Sequence, residues 1–391
     1  MKVEVNSEFT SCDQTQRQDL TNLSPLIVSG RIDLLRAKYQ EAGIDGLIIT
    51  ALPNIRYLTG FTGSAGVLTV STDRAVLTTD GRYRTQSLEQ VDQAGGSGEI
   101  DVEIGSMSFQ KDRARDLLDG CTRVGLEAEA VTWAEMIAWE RLLEGKILVQ
   151  TTDLVEDLRL VKTPGELQRM ECAAAIADSA LYEVLPMLSE VSSREVTEQE
   201  FALALDSAMR RRGAQGLAFD TIVASGPNSA KPHHQPTNRP MRHGESVVVD
   251  FGAMFDGYRS DMTRTFCLGG EPEGELALLF SVVQQAQKAG VEMIRSGVGA
   301  KDVDAACREI IAEAGWAEFF EHGTGHGVGI DIHEAPSVSP LGTAILSPGV
   351  VITVEPGVYL RDIGGVRVED MLVVTENSSR SLTNFTKDVV A

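Results

Sequence analysis

Val247-Val-Val-Asp250-Phe-Gly-Ala-Met-Phe-Asp256-Gly257-Tyr-Arg-Ser-Asp261 is the stretch on which the reading of this chain turns. Asp-Gly is a strong two-residue turn signal, and β-rich residues flank it from Ser246 to Cys267. Such a turn pairs Phe255 with Tyr258. Position 250 then lies opposite position 263, with Asp261 its diagonal neighbour. Equal parity brings both carboxylates out on one face of the hairpin. Like charges so close are unfavourable unless one is protonated or a cation lies between them. The run Val247-Val-Val249 marks the strand as buried, which raises the cost of an unpaired Asp250. A bound metal resolves both problems. A surface hairpin with ordinary exposed acids is the plainer alternative.

Three stretches downstream carry residues of the same kind. Val350-Val-Ile-Thr-Val-Glu355-Pro-Gly ends a β-branched run in a carboxylate, and Pro356 stops the strand. Gly364-Gly-Val-Arg367-Val-Glu369 sets Arg367 and Glu369 two apart, hence on one face of a strand. A self-satisfied Arg–Glu pair is the alternative there. His322-Gly-Thr-Gly-His326-Gly-Val-Gly-Ile-Asp-Ile-His333 sets three histidines in a loop with four glycines, and glycine lets backbone approach a ligand closely. The spacing is not that of the HExxH zinc helix. All six histidines, His233, His234, His243, His322, His326 and His333, lie in the C-terminal part, so any imidazole chemistry belongs there. Charge counting joins the pieces. Asp250, Asp261, Glu355 and Glu369 balance two divalent cations, and a carboxylate-rich set with one imidazole suits two first-row ions.

The whole chain bounds this reading. A length of 391 residues suggests two domains, and 42% hydrophobic with 24% charged residues is an ordinary globular composition. A net charge of −22 argues against nucleic acid or an anionic membrane as partner. No run of about 18 apolar residues is present, so no membrane span is expected. The polar start MKVEVNSEFTSCDQTQRQ lacks the apolar core of a secretory signal, so a cytoplasmic protein is expected. Five irregularly spaced cysteines without a CxxC read as small buried hydrophobes in a reducing compartment. An amphipathic helix is expected over 31–42, a strand over 46–50, and a hairpin turning at Ser71-Thr-Asp-Arg74. Thr163-Pro-Gly-Glu166 and Thr197-Glu-Gln-Glu200 have the capping-box pattern and open two long helices. Further helices are expected at about 276–296 and 302–314. The expected organisation is a poorly ordered tail over 1–24, an N-terminal domain over 25–152 and a C-terminal domain over 153–391.

Asp250-Phe-Gly, Gly257-Tyr-Arg-Ser-Asp261-Met-Thr-Arg-Thr-Phe266, His322-Gly-Thr-Gly-His326-Gly-Val-Gly, Glu355-Pro-Gly and Gly365-Val-Arg-Val-Glu369-Asp together resemble the pita-bread metallopeptidases. Within these the chain is similar to the Xaa-Pro branch, aminopeptidase P and prolidase. Asn54-Ile-Arg-Tyr-Leu-Thr-Gly-Phe-Thr-Gly-Ser and Thr79-Asp-Gly-Arg-Tyr83 look like that branch's N-terminal domain. The resemblance implies an α/β (α+β) fold, with a small creatinase-like N-terminal α/β domain. A C-terminal pita-bread domain follows, a curved antiparallel sheet flanked by helices. It implies Asp250, Asp261, His326, Glu355 and Glu369 as ligands of two divalent ions, Mn2+ first and Co2+, Fe2+ or Zn2+ as alternatives. It implies Glu355 as proton carrier, His233 and His333 as substrate-side donors, and His322 as a further pocket histidine. Arg367 is implied beside a ligand carboxylate, orienting Glu369. The activity implied is hydrolysis of the N-terminal Xaa-Pro bond of a dipeptide or longer peptide by a homodimer. Lys231 departs from the apolar residue common before Pro-His in that branch, and His234 and His243 read as structural. Methionine aminopeptidases share the cage, but their minimal form lacks an N-terminal domain of this size. Creatinase-like and scaffold relatives lose ligands that this chain keeps.

Overall fold

The computed structural model describes residues 23–388 and 390, so the tail expected over 1–24 lies almost wholly outside the described residues. The chain divides into one unit over Pro25–Arg159 and another that contains Leu160–Ala391.

In the first unit β1 (Gly46–Ile49), β2 (Val67–Ser71), β3 (Ala75–Thr79), β4 (Asp101–Ile104), β5 (Arg123–Glu127) and β6 (Ile147–Thr151) form one sheet. Their order is β4-β3-β2-β1-β5-β6. The expected hairpin forms, with Val70 opposite Ala75 and Ser71 N donating to Arg74 O at 2.8 Å. The remaining neighbours of this sheet are parallel apart from β1 with β2, which explains the helices between strands: parallel neighbours need long crossovers. The helix expected over 31–42 breaks at Lys38 into Arg31–Ala37 and Tyr39–Ala42.

The second unit opens with α1 (Pro164–Val184). Its capping box is complete: Thr163 Oγ1 accepts from Glu166 N, and Glu166 Oε2 accepts from Thr163 N at 2.7 Å. Residues 164–189 are long and apolar enough to cross a membrane, but half of an apolar 18-residue window within them is buried inside the protein. At α2 (Glu198–Arg211) only half of the expected box forms. Thr197 Oγ1 accepts from Glu200 N at 3.1 Å, while Glu200 is drawn outward to Arg194 at 2.8 Å. The two later helices are α3 (Gly274–Met293) and α4 (Ala300–Glu313).

The strands of this unit are β7 (Gly216–Leu217), β8 (Ile222–Ser225), β9 (Ser246–Phe251), β10 (Ala253–Phe255), β11 (Tyr258–Arg259) and β12 (Met262–Cys267). Then come β13 (Gly325–Gly327), β14 (Glu334–Val338), β15 (Val351–Val354), β16 (Gly357–Leu360), β17 (Gly364–Arg367), β18 (Asp370–Val374) and β19 (Ser379–Ser381). Every ladder among them is antiparallel. Asp256 and Gly257 both have positive φ, 42° and 72°, as a two-residue hairpin turn of this hand requires. The register follows: Phe255 faces Tyr258, and Asp250 faces Thr263. Val247, Val249 and Phe251 point into a core with Leu181 of α1 and Phe201 and Leu205 of α2. Each such side chain contributes ~1.5–3 kcal/mol on burial. A second core joins Leu279, Val283 and Val303 of α3 and α4 to Ile352, Val354 and Leu372. With Val247, Val249 and Phe251 committed to the first core, alternation turns Asp250 and its partner Thr263 to the opposite face.

Candidate metal centre

Four chain segments deliver the acidic and imidazole groups to one place. Asp250 comes from the end of β9 and Asp261 from just before β12; His326 is central in β13, Glu355 follows β15, and Glu369 lies between β17 and β18. His326 therefore sits on a short strand rather than in the expected loop. The register shifts between Gly325 and Gly327, which aims its ring out of the ladder. Carboxylate oxygens of Asp261 and Glu369 and a ring nitrogen of His326 all lie within 4.8 Å of one another. His326 Nε2 is 3.5 Å from Asp261 Oδ2 and 3.4 Å from Glu355 Oε1. Ligand atoms about 2.1 Å from a shared ion stand roughly 3.0–3.5 Å apart, so these separations suit a cation between them. The tautomer suits it too. His326 Nδ1 donates to Gly327 O at 3.0 Å, which leaves the Nε2 lone pair facing the acids.

Two oxygens point to what is needed. Asp250 Oδ1 and Glu369 Oε1 are buried and have no hydrogen-bond partner. A buried acceptor without a donor is costly, and in a cluster of acids a cation satisfies it best. The electrostatics agree. Burial, then the charges of Glu369, Asp250 and Glu355, hold the Asp261 carboxyl well above the usual carboxylate range. Burial, then Glu355 and Asp250, does the same to Glu369. Burial pushes Glu355 up to about 8. Burial and mutual repulsion thus oppose ionisation of these carboxyls, and a divalent ion would offset both. Burial lowers His326 and keeps its imidazole neutral, the form that binds metal.

Arg367 is the positive group of the site, and its partners differ from the sequence expectation. Its Nη2 donates to Asp250 Oδ2 at 2.6 Å. Its Nε donates to Thr263 Oγ1 at 3.1 Å, and Thr263 Oγ1 donates to Glu369 Oε2 at 2.8 Å. Arg367 thus orients Asp250 directly and reaches Glu369 only through Thr263. The two residues were expected two apart on one strand, but the strand breaks at Val368 and Glu369 and the chain crosses from one ladder to another. Arg264 holds Glu369 from the far side by donating to its main-chain oxygen and to Asp370 Oδ1.

The other histidines separate by their partners. His322 Nδ1 donates to Gly323 O at 2.8 Å, so Nε2 accepts from Tyr359 Oη at 2.9 Å. Tyr359 in turn accepts from Arg367 Nη1 at 2.8 Å. Burial, then Arg367, lowers His322 to about 4. Both ring nitrogens of His322 are therefore engaged by protein groups. His333 packs edge-on against His326, ring centroids 4.5 Å apart. Its turn is fixed by Glu334, which accepts from Asp331 N at 3.0 Å and from the buried Lys162 at 3.2 Å. His233 is exposed, and it lies close enough to His322 and His333 to disfavour a proton on either. His234 is tied to Glu198 at 2.9 Å.

Residues 168–376 match metallopeptidase family M24, and residues 31–161 match the Creatinase/Prolidase N-terminal domain. This chain belongs to metallopeptidase family M24. It is 39% identical over 360 residues to an uncharacterized peptidase, YqhT, of Bacillus subtilis, covering 92% of this chain and 99% of that one. Among solved structures it is similar to the Xaa-Pro dipeptidase from Bacillus anthracis, with 36% identity and a TM-score of 0.88 over 93% of this chain and 100% of the other. The X-Pro aminopeptidase from Thermotoga maritima is 33% identical with a TM-score of 0.81, over 92% and 99%.

Several residues of this M24 site escape a reading of sequence. Thr263 is the register partner of Asp250 and was visible as a position, though a threonine in a β run carries no sign of a role. Thr353 donates to Glu355 Oε1 at 3.4 Å and accepts from His326 N at 3.1 Å. Its parity with Glu355 was the available signal. Asp304 accepts from Thr324 N and Oγ1 at 3.1 and 2.9 Å and from Arg308 at 2.7 Å, tying the histidine stretch to α4. Nothing in the spacing of α4 points to that contact.

Proposed function

We propose that this M24 chain is a metal-dependent exopeptidase that hydrolyses the N-terminal Xaa-Pro bond of peptides. The observation that carries the proposal is the convergence of five ligand-type residues around two unpartnered buried oxygens, Asp250 Oδ1 and Glu369 Oε1. The similarity over more than nine-tenths of the chain to an Xaa-Pro dipeptidase and an X-Pro aminopeptidase supports the choice of bond. Asp250, Asp261, His326, Glu355 and Glu369 would hold two divalent ions, Mn2+ being the expected species for an oxygen-rich set. When bound, the ions supply Lewis acidity toward the scissile carbonyl and acidify water.

The chain's own residues do the rest. Glu355, with its carboxyl steadied by Thr353, takes a proton from the attacking water and delivers it to the departing prolyl nitrogen. His333, kept neutral by burial, and His233 donate hydrogen bonds to the carbonyl oxygen as charge develops on it. Arg367 fixes the orientation of Asp250, and through Tyr359 it also fixes His322. An Xaa-Pro amide has no N–H, so the pocket needs no acceptor at that atom.

The test is hydrolysis of an Xaa-Pro dipeptide, an Xaa-Pro-Yaa tripeptide and an Xaa-Ala dipeptide by metal-loaded protein. Cleavage of at least one proline substrate in clear preference to the alanine one supports the reading. Equal rates on proline and alanine substrates, or none on any, contradict it. The ratio of the first two substrates separates dipeptidase from aminopeptidase.

A further inference from the structure

Glu198 opens α2, where a glutamate ordinarily faces solvent, yet it is fully buried. Its two oxygens gather donors from both flanks of one loop. Oε1 accepts from Ser225 N and Oγ at 2.8 Å each and from Asn228 Nδ2 at 3.0 Å. Oε2 accepts from His234 Nε2 at 2.9 Å, Thr237 N at 3.1 Å and Thr237 Oγ1 at 2.7 Å. Burial alone would raise this carboxyl. The donors of Asn228, His234, Ser225 and Thr237 outweigh it and hold it down at about 2, so it stays an acceptor at any working pH.

The loop between these anchors carries His233. One residue before it, Pro232 O accepts from Arg367 Nη1 at 3.3 Å, and the same guanidinium holds Asp250. One residue after it, His234 is bound to Glu198. His233 is therefore set between a tether to the ligand cage and a tether to the buried end of α2. Its own ring is exposed.

We propose that Glu198 and His234 are positioning residues that set the His233 imidazole against the substrate carbonyl. The proposal rests on the reading of His233 as a substrate-side donor. His234 is the informative member of the pair. Without its ring, Glu198 keeps the donors of Ser225, Asn228 and Thr237, so the loop ends stay tied while the neighbour of His233 is released.

The test compares His234→Gln with His234→Met in metal-loaded protein on an Xaa-Pro peptide. The two side chains have similar length, and only glutamine offers an N–H to Glu198. The expected result is near-native kcat for His234→Gln and a kcat about tenfold lower for His234→Met, the scale of one lost hydrogen bond to a charged acceptor. Bound metal should be alike in both, while the thermal midpoint of His234→Met should lie a few degrees below that of His234→Gln, because the buried acceptor loses a donor. The second arm is His233→Ala with and without His234→Met. The single His233→Ala change should cost on the order of 10²–10³ in kcat. The double variant should be no slower than His233→Ala. Native activity in His233→Ala overturns the reading of His233 itself. If His233→Ala is impaired, equal kcat for the glutamine and methionine variants overturns the positioning role. Multiplying losses in the double variant, or loss of metal in His234→Met, overturn it too.

Discussion

Loading the metal-free protein with Mn2+ at about pH 7 should release protons. Burial pushes Glu355 up to about 8, so its protonated form is favoured at neutral pH. Asp261 and Glu369 are also pushed well up, by burial first and by neighbouring carboxylates second. Ligand carboxylates must be ionised, so binding displaces these protons. The expected release is at least one proton and at most about three per chain. It should fall by about one between pH 7 and pH 9, as Glu355 ionises unaided. The assay is calorimetric titration in two buffers of different ionisation enthalpy, whose difference in observed heat counts the protons.

A linked effect follows for stability. A carboxyl raised in the folded state binds more protons there than when unfolded. The metal-free protein should therefore lose stability as pH rises from the unfolded value of 4.5 through about 8, by ~1.4 kcal/mol per pH unit for each excess proton. Denaturation of metal-loaded protein should lack that decline. Zero proton release at pH 7, with no dependence on pH up to 9, refutes the picture of a proton-filled cage.

Thr263→Val removes the hydroxyl between Arg367 and Glu369. Metal affinity should fall about 10–100-fold, measured by competition with a chromophoric chelator. Arg367→Lys replaces a group that donates to Asp250, Thr263, Tyr359 and Pro232 with a single ammonium. Turnover should fall at least about tenfold even at saturating metal, because one ammonium cannot keep that planar fan of bonds. Thr163→Ala removes the cap of α1, far from the ligands in sequence. It should cost about 1 kcal/mol in urea unfolding and leave kcat unchanged.

The parts of the site that sequence displays are those set by local geometry. Asp256-Gly257 dictates a turn, the turn dictates the pairing of Asp250 with Thr263, and parity does the rest. Glu355 is legible because a β-branched run ends on it. Arg367 is not legible in the same way. Its choice between Asp250 and Glu369 is made where the chain changes ladders at Val368, and periodicity is silent about that crossing. Tyr359 in a β run reads as core, although its hydroxyl joins Arg367 to His322. Glu198 reads as an acid in a first helical turn, favoured by the helix dipole. Only the return of the 225–237 loop, far along the chain, reveals it as an acceptor. Glu200 looked like the second half of a capping box, and competition from Arg194 decided otherwise.

The most direct test of the central claim is a count of ions at the five-residue site. Crystals grown with Mn2+ and measured at its absorption edge report that count by anomalous scattering. Two anomalous peaks are expected among Asp250, Asp261, His326, Glu355 and Glu369, with Asp250 Oδ1 and Glu369 Oε1 each turned to an ion. A fully active crystal form with no peak there, or with peaks that leave both oxygens unpartnered, would contradict it.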